Sequence, residues 1–304
     1  MSKVLQINLS CWATPLLVVC MMCVGMKPAS AAGPDTNSAV SLRAMYTELL
    51  AQLNVNQFKR PLYLDSTESS DHLKGDIYAL VNYPFATANK ALNDPAHWCD
   101  VLILHINTKY CSASTNTTGS TLAVSIGKKV YQPIDEAYRL EFSYSVATST
   151  REYFDVRLNA KTGPLGTSDY RIKLEAVSVK GGKTFLHLTY SYAFDYVAQL
   201  AMQGYLATIG SDKVGFTSTG NQPDGQPNYI SGVRGVVERN TMRYYLAIDA
   251  YLGALSTSPP KQLDKRLQSW FTSIEQYPRQ LHEVDRASYL DMKRKEYLRQ
   301  QTIP

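Results

Sequence analysis

The stretch His97-Trp98-Cys99-Asp100 sets a thiol beside an imidazole and a carboxylate. A cysteine in such company can ionise and act as a nucleophile. A second cysteine, Cys111, gives the same residue a different use. Cys11, Cys20 and Cys23 fall in an apolar leader, so an exported chain keeps only Cys99 and Cys111. An even pair outside the cytosol usually forms a disulfide. The neighbouring residues favour the bridge. Asp94 followed by Pro95 is a helix start, with the aspartate as cap and the proline at the first helical position. Were residues 100–110 extended, the two cysteine Cα atoms would lie ~35 Å apart, whereas a bridge needs them within ~7 Å. A helix running to about Leu104, followed by a returning strand, brings them together. The disulfide Cys99–Cys111 is therefore the preferred reading, with His97 a helix histidine beside it.

No other catalytic signature accompanies this pair. The sequence lacks the nucleophile elbow, the zinc-protease pair, the redox CxxC and the phosphate loop. His72, His105, His187 and His282 are scattered. These absences weigh against an enzyme without closing the question, and nothing calls for a metal or a cofactor.

The run 231–252, SGVRGVVERNTMRYYLAIDAYL, places a polar group inside an apolar pattern. At 3.6 residues per turn, Val233, Val237, Asn240, Tyr244, Ile248 and Tyr251 share one side. Glu238, Met242, Leu246 and Asp249 point away from it. Glu238 and Arg239 with Arg243 could present charge to a ligand headgroup, but the two arginines stand one turn apart off the stripe, and the surface is the preferred reading. A broad aromatic stripe suits a helix lying on the concave face of a sheet. Asn240 is the polar member of that stripe, and a buried amide needs partners; it is either bonded to the sheet or turned toward a cavity. The chain also holds 21 tyrosines. Their apolar rings and hydroxyls suit a partly wet pocket for an amphiphile, and they suit ordinary strand packing equally.

The segments before that helix are mostly strands. From Thr121 onward the apolar period becomes two, as in Leu140, Phe142 and Tyr144, in Tyr170, Ile172 and Leu174, and in Leu188, Tyr190 and Tyr192. Charged residues fill many of the alternate positions, the pattern of an antiparallel sheet covered on one face. Glycines in 161–168 and 180–183 supply hairpin turns. An earlier strand is expected over 75–83 and a short helix over 84–92. Leu42, Met45, Leu49 and Leu53 recur at helical spacing near the start, and 195–209 returns to that spacing. The glycine-bearing 210–232 reads as a loop and a plausible lid. Leu263, Leu267, Trp270, Phe271, Ile274 and Tyr277 form another amphipathic helix, and the charged tail after it reads as a solvated one.

Residues 1–31 read as a signal peptide, with Lys3, an apolar stretch at 12–24 and Ala29-Ser30-Ala31 as cleavage site. The apolar stretch is shorter than the ~20 residues that span a bilayer, which disfavours a retained anchor. A periplasmic or secreted location follows. The remainder is long enough for one large domain with appendages. The formal net charge of +5 is an excess of the leader and of the tail beyond 260, the main body being neutral. That excludes a nucleic-acid binder, which concentrates Lys and Arg on its folded face. It leaves the basic tail as a candidate for weak contact with a membrane surface.

The segment GDIYALVNYPFATANKALNDPAHW, residues 75–98, has an opening strand, a "PF" pair, a helix and a "DP..W" helix start. With the strands and long helix that follow, it resembles the START-like, helix-grip (polyketide-cyclase-like) superfamily over about 75–252. The resemblance implies an α+β fold, a curved antiparallel sheet gripping a long C-terminal helix, with helical N- and C-terminal extensions. The parts are then an N-terminal helix and lead-in at 32–72, the helix-grip domain at 73–255 and a separable helical extension at 256–304. The helical insertion at 195–209 and the extension after Pro259 depart from the family pattern. The resemblance further implies an apolar or amphiphilic small molecule held between sheet and helix. Asn240, Tyr244 and Ile248 would face it from the helix, and Phe142, Tyr144, Tyr190 and Tyr192 from the strands. The expected function is carriage or binding of a lipid-like molecule by an exported protein. The alternative is a non-catalytic envelope interaction protein that docks a partner through its C-terminal helices.

Overall fold

The computed structural model describes residues 39–302, Ile209 excepted; the expected signal peptide lies outside them. Strands β1 (Leu62–Glu68), β2 (His72–Val81), β3 (Thr108–Asn116), β4 (Gly119–Ile126), β5 (Tyr138–Ser149), β6 (Tyr153–Thr162), β7 (Thr167–Val179) and β8 (Lys183–Phe194) form one antiparallel sheet in the order β1-β2-β8-β7-β6-β5-β4-β3. The period of two is the reason they form. Leu140, Phe142, Leu158, Ile172, Leu174 and Leu188 are buried on one face, while the alternate residues carry charge. Tyr138 and Val146 belong to the same run but stand exposed near the ends of β5.

The helices are α1 (Ala39–Glu48), α2 (Leu50–Asn54), α3 (Phe85–Leu92), α4 (Pro95–Leu102), α5 (Tyr196–Ala207), α6 (Gly232–Ala254), α7 (Pro259–Ile274), α8 (Pro278–Leu281) and α9 (Arg286–Thr302). The long helix α6 lies against β1, β2 and β8. It comes so close to β2 that a Cβ on Gly75 would collide with the side chain of Thr241, so the strand needs a glycine where the helix crosses it. This is an α+β fold in which an antiparallel sheet grips one long helix.

Three features differ from the sequence reading. First, α6 has no wet side along most of its length. Glu238, Met242 and Leu246 are fully buried and Arg239 and Arg243 nearly so, because α7 and α8 pack on the back of the helix. Second, the convex face of the sheet is not bare. Leu42, Leu49 and Leu53 of the N-terminal helices cover Tyr153, Val177 and Phe185 there. Third, the C-terminal helices are not an appendage. Leu267, Trp270, Phe271, Ile274, Leu281 and Tyr289 join the same apolar core as the sheet, and the described residues pack as one compact unit. The charged tail is held as well, since Lys293 and Glu296 of α9 are fully buried.

The glycine-bearing loop also has structure of its own. It contains a small hairpin, β9 (Ser218–Asn221) with β10 (Pro227–Tyr229). Glu238 anchors the loop to α6, its carboxylate accepting from Thr217 N at 2.9 Å, Thr217 Oγ1 at 2.6 Å and Ser66 Oγ at 2.6 Å. The local prediction around the cysteines is met. Asp94 Oδ1 accepts from Ala96 N at 2.8 Å and caps α4. That helix ends at Leu102 rather than Leu104, the chain returns as β3, and Cys99 and Cys111 are bridged with Cα atoms 5.2 Å apart.

Candidate functional site

The alternation in β7 and β8 turns Tyr170, Tyr190 and Tyr192 to the concave side, where β7 and β8 lie side by side. Tyr190 and Tyr192 are two apart on one strand and so share a face. Their rings pack as a cluster. Tyr170 stacks on Tyr192 at 5.2 Å between centroids, Tyr190 lies 5.7 Å from Tyr192 and 5.1 Å from Tyr244, and Tyr244 stacks on His105 at 4.8 Å. Burial pushes the phenols of Tyr170, Tyr190, Tyr192 and Tyr244 up from their ordinary values, so they stay neutral at physiological pH.

These tyrosines wall a cavity of about 350 Å³. One wall is α5, through Ala198, Ala201 and Met202, and another is α6, through Val236, Arg239, Asn240 and Arg243. Lys129 and Leu165 also line it. Asp195 caps α5 by accepting from Ala198 N at 2.9 Å. The described side chains of α5 carry no charge: their inward positions meet the cavity, while Tyr196, Val197 and Leu200 are exposed outside. Leu165 holds a left-handed backbone, φ 54°, in the turn before β7. That conformation is unfavourable for a side chain with a Cβ and sets an exposed leucine at the rim.

The electrostatics of this end are cationic. Glu283 accepts from Arg243 Nη2 at 2.6 Å and Lys129 Nζ at 2.8 Å, with Lys213 Nζ at 3.9 Å. Burial alone would raise the Glu283 carboxyl, but the Arg243, Lys129 and Lys213 charges outweigh it and hold the group below the usual range. Buried His105 is driven the other way, by desolvation first and then by Arg243, Lys293, Lys129 and Lys109, and is held neutral.

The expected site residues divide into two groups. Asn240, Tyr190 and Tyr192 line the cavity. Asn240 is turned to the space rather than bonded to the sheet, its Oδ1 accepting from Arg243 Nη1 at 3.2 Å. Tyr244 stands behind Tyr190 as a packing neighbour. Phe142, Tyr144 and Ile248 are buried but do not line it, and Tyr144 donates to Leu92 O at 3.3 Å. The reason is topological: β5 is separated from β8 by β6 and β7, and that part of the concave face is already covered. Tyr170 and Lys129 are not among the expected site residues, and for Arg239 and Arg243 the surface is the preferred expectation over a ligand headgroup. Tyr170 shares the period-two pattern of Ile172 and Leu174, so its inward direction was readable; the arginines were placed at the surface because α7 and α8 were not foreseen behind α6.

Two other clusters carry titratable groups. On the convex face, His187 Nε2 meets Asp76 Oδ1 at 2.8 Å and its Nδ1 meets Glu175 Oε2 at 3.2 Å, while the ring stacks on Tyr78 at 4.1 Å. Burial would lower His187, but hydrogen bonds to Asp76 and Glu175 outweigh it and raise the imidazole above its ordinary value. Cys99 is spent in the disulfide and buried, so it offers no thiolate. Among the described residues, no His, Cys, Asp and Glu side chains group in a way that would hold a metal ion.

No family model matches this sequence, and no curated protein matches it. Solved structures are similar at low identity. Ara h 8.0201 aligns with 64% of this chain and 99% of its own, at 10% identity and TM-score 0.34. Norcoclaurine synthase from Thalictrum flavum aligns with 47% of this chain and 93% of its own, at 14% identity and TM-score 0.32. Human StAR-related lipid transfer protein 5 aligns with 57% of this chain and 90% of its own, at 8% identity and TM-score 0.31. The chemistry of the cavity rests on its own residues.

Proposed function

We propose that this protein binds an apolar or amphiphilic small molecule in the cleft lined by β7, β8, α5 and α6. The observation that carries the reading is the cavity itself, with tyrosine rings and small apolar side chains on its walls and a few polar groups converging at one side. Ligand sites are typically built in this way, at roughly 300–1,000 Å³, and about 350 Å³ lies at the small end. Export supports the same reading: the leader composition and the Cys99–Cys111 bridge both suit an oxidising compartment outside the cytosol. Docking through the C-terminal helices is less well supported, because Leu267, Trp270, Phe271 and Ile274 are already buried within the molecule. Membrane contact through the tail is likewise weakened by pairing, Arg294 with Asp264 and Lys295 with Asp291.

The test is mass spectrometry of organic extracts from protein purified out of its own compartment, joined to displacement of a fluorescent fatty acid. A stoichiometric amphiphile, displaced by added ligand, is the expected result. Asn240→Leu should weaken a polar-headed ligand about tenfold, ~1.4 kcal/mol, with little change in the thermal melt. Empty extracts together with no uptake by the parent protein would overturn the proposal.

A further inference from the structure

We infer that a second cavity, apart from the β7/β8 cleft, binds a neutral saccharide. It lies between the segment 57–59 before β1, the β9–β10 hairpin and the short helix α8, and it holds about 400 Å³. It shares no lining residue with the cleft, so the inference stands whether or not the cleft takes an amphiphile. The floor is aromatic. Phe58, Phe216 and Tyr277 come from three distant parts of the chain, with Phe216 5.4 Å from Tyr277 and 5.7 Å from Phe58 between centroids. Tyr277 Oη donates to Phe58 O at 2.8 Å, which spends its hydroxyl and leaves the three rings as an apolar surface. Tyr229 of β10 adds a half-buried ring to the lining, with the Arg279 guanidinium over it at 5.4 Å.

Gln280 is the residue that asks for a ligand. It is 6% exposed and lines the cavity. Its backbone N–H donates to Tyr277 O at 3.1 Å, but its side-chain amide has no hydrogen-bond partner among the described residues. A buried amide left unpaired is costly. Two further glutamines of the lining are half satisfied. Gln57 Nε2 donates to Phe216 O at 2.6 Å and keeps its Oε1 to accept; Gln276 Oε1 accepts from Arg60 Nη2 at 3.0 Å and keeps its Nε2 to donate. Among the described residues that line the cavity none is acidic, and the cation Lys59 is exposed to water, so no buried charge calls for an ionised ligand. A planar amide or base carries its donors and acceptors along one edge and suits one glutamine. A pyranose carries hydroxyls around its rim, each able to donate and to accept, and has a C–H face that packs on an aromatic ring. It meets the three amides and the rings together.

The test titrates the purified protein with methyl glucoside, N-acetylglucosamine, maltose and cellobiose, by saturation-transfer NMR and calorimetry, with glucuronate and adenine as charged and planar controls. At least one neutral sugar should bind at millimolar concentration or below and more tightly than glucuronate, with saturation reaching its ring C–H protons. Gln280→Met keeps the shape and should weaken that sugar roughly fivefold, the worth of about one hydrogen bond. Tyr229→Ala should weaken it by as much or more, and neither change should alter fatty-acid displacement from the cleft. Gln280→Met should also leave the thermal melt unlowered, since no protein group loses a partner; a fall would show the amide paired within the molecule and overturn the inference. Binding of no neutral sugar, or binding that both variants leave unchanged, overturns it too. Adenine bound in place of sugar, and lost in Gln280→Met, overturns the saccharide in favour of a planar amide.

Discussion

Replacing Glu296 by glutamine should destabilise the protein severely, and in a pH-dependent way. Glu296 is fully buried on α9 and bridges two buried ammonium groups, Lys109 Nζ at 3.0 Å and Lys293 Nζ at 2.7 Å. Lys293 also donates to His105 O and Thr108 O, both at 2.7 Å, and Lys109 to Ile106 O at 3.1 Å. The three charges therefore fasten α9 to the corner between α4 and β3. Glutamine keeps the shape but removes the only charge opposing the two ammoniums within this triad. Breaking a buried pair by deleting one partner costs about 3–5 kcal/mol, which for a chain of this size is a fall of roughly 6–20 °C in melting temperature. Burial first, with Lys109 adding and Glu296 opposing, pushes the Lys293 ammonium down to about 8 from its ordinary 10.5. Between those values the unfolded chain holds a proton that the folded chain has shed, so stability rises with pH across that window and is flat below it. Without Glu296 the folded value drops further and the rise begins lower. Urea melts at pH 7 and pH 9 should show the deficit of Glu296→Gln narrowing at the higher pH. A loss under about 1 kcal/mol, or the same deficit at both pH values, would refute the reasoning.

Truncation after Leu255 should give an insoluble or molten product, because it uncovers Met242 and Leu246 of α6 and removes Trp270 and Tyr289; a soluble fragment with a cooperative melt would show that the sheet and α6 suffice. The double change Cys99→Ala with Cys111→Ala should cost about 3 kcal/mol by loop-closure entropy, seen as a lower urea midpoint, and unreduced protein should show no free thiol on titration.

The strands were legible because each presents one dry and one wet face over most of its length, and the cysteines because a capped helix and a turn fix their separation. Helix α6 was legible as an element and not as a surface. A wheel assumes one wet side, and Met242, Leu246 and Arg243 break the assumption because α7 and α8, which follow α6 in the chain, lie behind it. The same omission hid the site. Asn240, Tyr190 and Tyr192 could be read from their periods, but one wall of the cavity is α5, whose uncharged sequence gives no sign of what it lies against. Phe142, Tyr144 and Ile248 have the right face and the wrong neighbourhood, since a period reports direction and not which part of a concave surface is left unfilled. The C-terminal tail misled for a related reason: Lys293 and Glu296 look like solvent-facing charges until Lys109 is brought to them from a distant strand.

The pairing of β2 with β8 sets an order on how the molecule can come into being. The first two strands must wait for the last strand of the sheet before their inner edge is satisfied, and the concave face must then wait for α6. The back of α6 in turn waits for α7, α8 and α9. Most strand pairings join neighbours in the chain, but the one that unites β1 and β2 with the rest spans nearly the whole sheet, so that closure is slow, and a chain still being made shows an uncovered apolar face to whatever surrounds it. Nearly the whole length must be present before any large part of it is secure. Early stops, even close to the end, should therefore yield aggregates rather than smaller working proteins, and the growing chain remains loose enough to be threaded or escorted until its final helix is supplied.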